Sequence, residues 1–520
     1  MIRGKVKTRI SIIFLCALVI FGCILGKLGY EQIFHHTDIM EKALDLWERD
    51  FTVAGLRGSI LDKQGKVLAH DIPSTSVMVV PAQIKHPDET AKQLAQVLNA
   101  DEKTIKTKIT KHVSTQKIQP EGRLISDEKA RKLQAMDLEG VYLVQDSLRN
   151  YPNNNYLAQV LGFTGIDNQG LAGLELQYND ILSAKSGGLN IPFDAKGHKV
   201  ELYQETYEAP GRGMDVQLTI DAKIQDIVER EMNNLMKRYH PKSALALAMN
   251  PQTGEVLAMV SKPDFDPNHY KDYSSDVYNR NLPIWKSYEP GSTFKSVIFA
   301  SGLELKLYDM FKDTYDDKGY EMVGGARIKS WKAGGHGHQT FLQVLENSSN
   351  PGFVEISRRM GLDREYEYVT KFGFGQKTGI DLPGESKGIM FKKEVMGELE
   401  QATVAFGQGL SVTPIQLVTA FSAVVNGGTL YTPYITKSIN DPITHDPILE
   451  FKPTKKRQVI SEETSKLMRY ALESVVANGG GKPAYMEGYK IGGKTGTAQI
   501  AENGVYSTSN YILSFLSAAP

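Results

Sequence analysis

The sequence predicts an α+β fold in which helices pack on an antiparallel sheet, and neighbouring stretches after residue 213 support this. Val216–Ile220 alternates as a strand does, and a long helical pattern follows over Ala222–Arg238. Two apolar runs, Ala244–Met249 and Val256–Val260, are then joined by the turn-forming segment Pro251–Gly254. Such a pair is typical of a β-hairpin. Because the strands are apolar and adjoin helical segments, we expect helices to cover the sheet.

Length and composition limit the possible classes of protein. The 520 residues are enough for two or three domains with a large core. The 60 basic and 60 acidic residues give a formal net charge of zero, so charge provides no argument for nucleic-acid binding. Both cysteines, Cys16 and Cys23, lie in the N-terminal apolar segment, so the remainder of the chain is predicted to contain no disulfide.

The N-terminus has the pattern of a membrane anchor. Basic residues within the first nine positions precede an apolar run over Ile10–Gly26, which Leu28–Tyr30 extends. The positive charges predict a cytoplasmic tail over residues 1–9, a transmembrane helix over residues 10–30, and an extracytoplasmic remainder. The alternatives are a cleaved signal peptide and a lipoprotein signal at Ile20–Cys23, and the bulky Phe21 argues against the latter.

Residues 31–212 form a mixed region in which we find no catalytic constellation. Arg57–Asp62 and Gln64–Ala69 predict two short strands around a turn, and Thr90–Leu98 and Asp127–Met136 predict helices. A further helix is predicted over Lys42–Phe51. The region is interpreted as a spacer or docking module.

The stretch Tyr288–Lys295 is the chemical centre of the sequence. A Pro-Gly turn precedes Ser292, and the apolar run Phe294–Leu303 predicts a helix. Lys295 would then lie one turn after Ser292 on the same face. A serine hydroxyl needs a base to become a nucleophile, and a partly buried lysine of lowered pKa can be that base.

The Ser-x-x-Lys pattern alone does not identify a nucleophile. It also occurs at Ser114–Lys117 and Ser126–Lys129, where an ordinary helix start with a solvated lysine explains it. Two further patterns distinguish Ser292. Ser348-Ser-Asn350 begins 56 residues after Ser292, and Lys494-Thr-Gly496 begins another 146 residues on.

These two patterns are weak individually, since Ser-x-Asn recurs at Ser438–Asn440 and Lys-Thr-Gly at Lys377–Gly379. The joint order is specific, because β-lactamases and penicillin-binding proteins carry Ser-x-x-Lys, Ser-x-Asn and Lys-Thr-Gly in that succession.

The chemistry of the three motifs predicts a role for each residue. Ser348 can pass a proton between Lys295 and the leaving nitrogen, and Asn350 can orient Lys295 and hold a substrate amide. Lys494 can keep Lys295 deprotonated and attract a substrate carboxylate.

Substrate is predicted to bind along the strand that carries Thr495, Gly496 and Thr497. Gly496 leaves the strand without a side chain at the point where substrate would lie. Backbone N–H groups of Ser292 and Thr497 would form the oxyanion hole.

The chain resembles the class B penicillin-binding proteins over nearly all of its length. The motifs that carry the resemblance are Arg57–Asp62, Arg149–Pro152, Gly170–Glu175, Tyr288–Lys295, Gly373–Glu385, Ala405–Gln416 and Gly492–Thr497. It implies an elongated α+β pedestal domain over residues 31–212. It also implies a transpeptidase domain over residues 213–520 with a central antiparallel sheet and helices on both faces. Measured against the family, this domain is expected to be truncated at its C-terminus.

The resemblance also implies a function and partners. The function is that of a serine D,D-transpeptidase that cross-links peptidoglycan stem peptides ending in D-Ala-D-Ala and binds β-lactam antibiotics covalently, with no cofactor. The implied partners are a SEDS-type glycosyltransferase and a second copy in a homodimer. Asp167–Gly170, Tyr278–Pro283 and Trp331–Gly337 resemble the sporulation subgroup, which implies spore-cortex synthesis at the forespore or septal membrane. Division-septum relatives share every catalytic motif.

Other readings have less support. Gly488–Thr495 matches the P-loop pattern, but no helical period follows it. His336 and His338 lie in a Gly-rich loop without a third ligand in sequence, so no metal site is predicted. One class of β-lactamases needs a Glu with Asn four residues on, and this pair is absent between Gly379 and Ala402. A non-catalytic penicillin sensor would lack the pedestal-like region.

Overall fold

The computed structural model describes residues 2–35, 48–192, 206–502 and 505–519. The chain forms two compact units. The first comprises Met1–Leu56, Ile72–Leu148 and Ala184–Arg212, and the second comprises Arg57–Asp71, Arg149–Ser183 and Gly213–Pro520. The domain boundary after residue 212 stays a prediction, since this grouping places two segments of the expected pedestal with the C-terminal part of the chain.

The α-helices of the described residues are Ile2–Phe34, Pro87–Leu98, Glu102–Ile109, Asp127–Met136, Ala158–Leu161, Gly173–Gln177, Asn179–Leu182, Ala222–Tyr239, Ser275–Tyr278, Leu282–Trp285, Lys295–Glu304, Phe341–Glu346, Asn350–Met360, Leu362–Lys371, Glu398–Val404, Pro414–Val425 and Glu462–Asn478. The β-strands are Glu48–Val53, Ile60–Leu61, Val67–Val79, Gln116–Lys117, Val141–Asn150, Gly187–Pro192, Thr206–Glu208, Asp215–Leu218, Ala244–Met249, Val256–Lys262, Thr314–Asp317, Tyr320–Val323, Ala326–Lys329, Gly337–Thr340, Thr429–Thr432, Thr436–Asn440, Pro447–Glu450, Thr454–Gln458, Gly492–Glu502 and Val505–Ala518.

The first unit begins with the helix Ile2–Phe34, whose segment Lys7–Phe34 is long and apolar enough to cross a membrane. Its apolar side chains are exposed, as expected of a helix that faces lipid. The predicted helix over residues 42–51 is wrong for its second part, because Glu48–Val53 is a strand paired with Gly187–Pro192. Residues 42–47 lie outside the described residues.

The rest of the first unit is a small α+β layer. Helix Pro87–Leu98 contributes Ala91 and Leu94 to a core that also contains Val77 and Val79 from the strand Val67–Val79. Two helices predicted from sequence are confirmed, because the observed helices Pro87–Leu98 and Asp127–Met136 coincide with them.

In the second unit, the strands Pro447–Glu450, Thr436–Asn440, Asp215–Leu218, Ile60–Leu61 and the start of Val67–Val79 lie side by side in that order. Neighbours are antiparallel except for Ile60–Leu61 and Asp215–Leu218, which are parallel.

The remainder of the second unit is built largely from antiparallel hairpins and helices. Ala244–Met249 pairs with Val256–Lys262, as the sequence predicts. Gly492–Glu502, which we call the lysine strand, pairs with Val505–Ala518, and each hairpin is hydrogen-bonded as its own two-stranded sheet. The largest core cluster lies among the helices Lys295–Glu304, Asn350–Met360, Pro414–Val425 and Glu462–Asn478 and includes Leu516 of the second hairpin. The observed α+β architecture confirms the predicted fold class.

A buried ionic network links three sequence motifs of the second unit. Arg57 Nε donates to Glu175 Oε2 at 2.6 Å, and Arg149 Nε donates to Glu175 Oε1 at 2.6 Å. Asp71 accepts from Arg149 Nη1 at 3.2 Å and from the Arg57 backbone N–H at 2.9 Å. A buried carboxylate shared by two guanidiniums holds segments together that are more than 100 residues apart in sequence.

Candidate active site

Ser292 lies in a short 3₁₀ turn, Gly291–Thr293, that leads directly into the helix Lys295–Glu304, which we call the serine helix. Gly291 has φ of +54°, a conformation that favours glycine. The Thr293 hydroxyl donates to the Pro290 carbonyl at 2.7 Å and closes the turn. Ser292 itself is half-buried.

Lys295 is held in place by several hydrogen bonds. It is completely buried, and its Nζ is hydrogen-bonded to Asn350 Oδ1 at 2.6 Å, to the Ser348 carbonyl at 2.8 Å and to Ser348 Oγ at 3.1 Å. Burial lowers the pKa of this amine well below its ordinary value, and the positive charge of Lys494 lowers it further. Both causes favour the neutral amine.

The hydrogen-bond partners of Lys295 suit a neutral amine. Two of them, the Ser348 carbonyl and Asn350 Oδ1, can only accept, so they use the two N–H groups of the neutral form. The remaining lone pair is then available to a hydroxyl. Ser348 Oγ can donate as well as accept. It can therefore take a proton from the protonated Lys295 amine and pass its own proton on.

Ser348 and Asn350 are placed by the start of the helix Asn350–Met360, which we call the asparagine helix. Ser348 has φ of +54°, a left-handed conformation that is uncommon outside glycine. Ser349 is the N-cap, and its hydroxyl accepts from the Gly352 N–H at 3.2 Å. The turn points Ser348 and Asn350 at the same lysine.

Lys494 lies in the lysine strand and is buried, with 1% of its surface exposed. Its Nζ donates to the Thr495 carbonyl at 3.2 Å, and burial lowers its pKa to about 8. Because strand side chains alternate, Lys494 and Gly496 share one face, whereas Thr495 and the exposed Thr497 share the other.

Gly496 lets the lysine strand approach the serine turn. A Cβ on Gly496 would lie 2.9 Å from Thr293 Cγ2 and 3.0 Å from the Pro290 carbonyl oxygen. A Cβ on Gly291 would likewise lie 2.9 Å from the Thr497 carbonyl oxygen. The backbone of Thr497 therefore runs beside the turn that holds Ser292, where the predicted oxyanion donors would have to converge.

The repeated patterns elsewhere have ordinary structural explanations. Ser126 caps the helix Asp127–Met136 by accepting from the Lys129 N–H, and Ser114 lies in an exposed bend. In the Lys377–Gly379 repeat, the Thr378 N–H donates to Glu385 at 2.6 Å. The Ser438–Asn440 repeat is part of a strand in another sheet.

The P-loop match and the histidine-containing loop also have structural explanations. A strand covers Gly492–Glu502, so the P-loop match lacks the helix that phosphate binding requires there. The His336 ring packs against Trp331 with centroids 5.3 Å apart, and burial lowers its pKa.

The structure adds residues that the sequence argument missed. Asp317 accepts from the Ser349 hydroxyl at 2.8 Å, and the Trp331 indole N–H donates to the Asn347 carbonyl at 2.7 Å. Glu289, next to the serine turn, accepts from the Gly409 N–H at 3.0 Å. These contacts join residues that are far apart in sequence, so no local sequence pattern predicts them. The doubled serine of Ser348-Ser349 was the one available hint.

Comparison with known families assigns two regions. Residues 244–520 match the penicillin binding protein transpeptidase domain, and residues 52–218 match the penicillin-binding protein dimerisation domain.

Similar proteins and structures agree with these matches. The chain is 50% identical to stage V sporulation protein D of Bacillus subtilis over 99% of its length and 80% of the relative's. It is 27% identical to the peptidoglycan D,D-transpeptidase FtsI of Escherichia coli, covering 99% of this chain and 85% of that one. Penicillin binding protein 3 of Mycobacterium tuberculosis, complexed with aztreonam, superposes with a TM-score of 0.69 at 26% identity, covering 90% of this chain and 88% of that one.

Proposed function

The chain belongs to the class B penicillin-binding proteins and is a peptidoglycan D,D-transpeptidase, and from this we propose that Ser292 is the residue that forms its acyl-enzyme. The observation that carries the proposal is the environment of Lys295. The buried amine of Lys295 is hydrogen-bonded to Ser348 and Asn350. The positive charge of Lys494 lowers its pKa, and Lys295 lies one helical turn after Ser292.

In the acylation step, the Ser292 hydroxyl attacks the carbonyl carbon between the two terminal D-alanines of a stem peptide. Its proton passes to neutral Lys295, while the new C–O bond forms and the carbonyl becomes an oxyanion. Backbone N–H groups of Ser292 and Thr497 receive the oxyanion, and each such donor is typically worth ~3 kcal/mol.

Collapse of the tetrahedral intermediate breaks the C–N bond and releases D-alanine. The leaving nitrogen takes a proton that Ser348 relays from Lys295, so the lysine returns to its neutral form. An amine of a second stem peptide then attacks the ester, and Ser292 recovers its proton as the cross-link forms. Lys494 and Thr495 to Thr497 bind the substrate carboxylate and backbone.

Transfer to an amine requires that water stays away from the ester, and the same site would otherwise be a β-lactamase. In the region where a lactamase would carry its deacylating glutamate, the buried Glu385 accepts from Thr378 and Gly379. Glu400 accepts from the Gly397 N–H and closes a helix start. Both carboxylates are occupied by structural contacts, and the other two glutamates of this region, Glu394 and Glu398, are exposed. This supports transpeptidation.

The 50% identity to stage V sporulation protein D supports a role in sporulation, in cross-linking the spore cortex. A division-septum role is the second candidate, because FtsI-type relatives are similar over nearly all of the chain. Deleting the gene and examining vegetative septa and spore heat resistance separates the two.

We further propose that the N-terminal helix anchors the protein in the cell membrane, with residues 1–9 cytoplasmic and the catalytic domain outside. The long apolar helix Lys7–Phe34 and the basic residues before it support this orientation. A SEDS-type glycosyltransferase and a second copy of the chain are the proposed protein partners. The dimerisation-domain match over residues 52–218 supports the homodimer.

Fluorescent penicillin tests the assignment of the nucleophile. Wild-type protein should be labelled covalently, Ser292→Ala should show no label, and Ser126→Ala and Ser114→Ala should be labelled as wild type. The acyl-enzyme should persist for many minutes after excess drug is removed. Labelling of Ser292→Ala would overturn the assignment, and loss of label within seconds with steady penicillin turnover would favour a β-lactamase.

A further inference from the structure

We infer that Asp317 is a positioning residue for this reaction, which holds the Ser348 hydroxyl against Lys295 through the hydroxyl of Ser349. The inference rests on the proposed function of Ser348 as proton relay. It concerns a residue outside the three motifs, since Asp317 lies on the strand Thr314–Asp317.

Ser348 occupies a backbone conformation that it would not adopt by itself. Its φ of +54° lies in the left-handed region, which costs a non-glycine residue about 1 kcal/mol or more. The conformation brings both the carbonyl and the hydroxyl of Ser348 to the same amine, at 2.8 Å and 3.1 Å from Lys295 Nζ. Some other contact must therefore hold the backbone in this state.

Ser349 supplies that contact from the position immediately after the relay. Its hydroxyl is fully buried and makes two bonds of defined polarity. It donates its single proton to Asp317 Oδ2 at 2.8 Å and accepts from the Gly352 N–H at 3.2 Å. Because the proton is committed to Asp317, a lone pair is directed at the first turn of the asparagine helix.

Asp317 is itself fixed on the opposite side. The carboxylate is buried, with 1% of its surface exposed. Its Oδ1 accepts from the Gly319 N–H at 2.9 Å and its Oδ2 also accepts from the Ser330 hydroxyl at 3.3 Å. The strand that carries Asp317 pairs with Gly337–Thr340, which leads into the helix before the Ser348 turn.

A second bond fixes the other side of the relay. The Trp331 indole N–H donates to the carbonyl of Asn347, the residue immediately before Ser348, at 2.7 Å. Ser348 is thus held between two anchored neighbours, and the segment from Asp317 to Trp331 provides both anchors. The order of contacts from Asp317 is Ser349, then the Ser348 backbone, and then Lys295.

Asp317→Asn tests the inference with the smallest change in shape. An amide offers one acceptor oxygen where the carboxylate uses two, so either the Gly319 N–H or the Ser349 hydroxyl loses its acceptor. We expect the limiting rate of acylation by penicillin to fall about tenfold or more, since small displacements of a catalytic group have effects of this size. The dissociation constant for penicillin before acylation should stay near the wild-type value.

Variants of the same network separate positioning from general destabilisation. Ser349→Ala should show the same loss, Ser349→Thr should restore most of the rate, and the Asp317→Asn/Ser349→Ala double variant should lose no more than either single variant. Ser330→Ala, which removes the weaker Asp317 contact, should acylate within about twofold of wild type. Active-site titration gives the folded fraction, so the rate is expressed per competent molecule.

Several outcomes would overturn the inference. Wild-type rates in Asp317→Asn and Ser349→Ala would do so, as would losses that add in the double variant. A lower titre of active molecules with an unchanged rate per molecule would show that Asp317 only stabilises the fold. Failure of the wild-type protein to label would instead contradict the proposed function.

Discussion

Nζ of Lys295 lies 2.6 Å from Oδ1 of Asn350, across 55 residues of sequence. The lysine comes from the first turn of the serine helix and the amide from the first residue of the asparagine helix. Two helix starts therefore meet at one amine, and the amine needs no carboxylate partner. Its three hydrogen-bond partners are neutral oxygens, which stabilise an ammonium less than a carboxylate would. Burial and the positive charge of Lys494 therefore lower its pKa.

The first prediction concerns the charge of Lys494. Lys494→Gln removes a positive charge that disfavours the ammonium form of Lys295, so the pKa of Lys295 should rise. Because the neutral amine is the proposed base, the rising limb of the acylation rate against pH should move to higher pH. The effect should be largest below the pKa of Lys494, which is about 8, where the wild-type residue is charged.

The limiting acylation rate, measured by stopped flow from pH 6 to 9, checks this. The rate must be separated from penicillin affinity, because Lys494 is also proposed to bind the carboxylate. Lys490→Gln removes an exposed lysine a few residues earlier and serves as the matched control. An unshifted profile in Lys494→Gln would contradict the proposed coupling.

The motif residues could be proposed from the sequence because each motif is a short local pattern and the order of the three is specific. Ser292 and Lys295 are one turn apart, and Lys494 lies within the strand Gly492–Glu502. The residues that hold the motif residues in place were not predictable in this way. Asp317 meets Ser349 across 32 residues, and its neighbours in sequence are ordinary strand residues. Glu175 is likewise bonded to Arg57 across 118 residues. Such contacts depend on tertiary packing, which a single sequence does not display.

The helix predicted over residues 42–51 was wrong over residues 48–51 for a similar reason. Residues 48–51 have no strand-like alternation of their own, yet Glu48–Val53 pairs with Gly187–Pro192. The partner strand lies more than 100 residues away, and its backbone bonds decide the local structure.

The second prediction concerns Gly496. A methyl group there would meet Ser514 Oγ at 2.6 Å and Thr293 Cγ2 at 2.9 Å, so the lysine strand must move away from the serine turn. Gly496→Ala should lower the acylation rate by at least about tenfold. Gly480→Ala is the control, because its added methyl meets only Thr495 Oγ1, at 3.5 Å. Wild-type acylation by Gly496→Ala would show that this close approach is not needed.

The third prediction concerns the buried network around Glu175. Glu175→Ala leaves two buried guanidiniums, Arg57 and Arg149, without their shared carboxylate. Removing one partner of a buried ionic network typically costs about 3–5 kcal/mol. The free energy of unfolding, measured by denaturant, should fall by that order. Glu139→Ala, which breaks an exposed pair with Lys85, should change it by less than about 1 kcal/mol. A similar loss of unfolding free energy in the two variants would show that burial does not decide the cost of breaking these ion pairs.

The fourth prediction concerns Glu365, a buried acid that the reaction does not use. It bonds to the Ser357 hydroxyl and to Gln401 Nε2, and burial raises its pKa to about 7. A folded-state pKa above the unfolded value means that the folded state binds the proton more tightly. The free energy of unfolding should therefore fall as pH rises from about 4.5 to about 7, by up to about 3 kcal/mol.

Glu365→Gln keeps a hydrogen-bonding side chain of the same shape and removes the titration. The variant should match wild type near pH 5 and be more stable than wild type at pH 8, where the wild-type carboxylate is ionised in an apolar environment. Melting temperatures at the two pH values measure the difference. Glu367→Gln changes an exposed acid on the same helix and should show no such pH-dependent gain. A Glu365→Gln variant that is less stable than wild type at both pH values would mean that Glu365 stabilises the fold as an ionised hydrogen-bond acceptor.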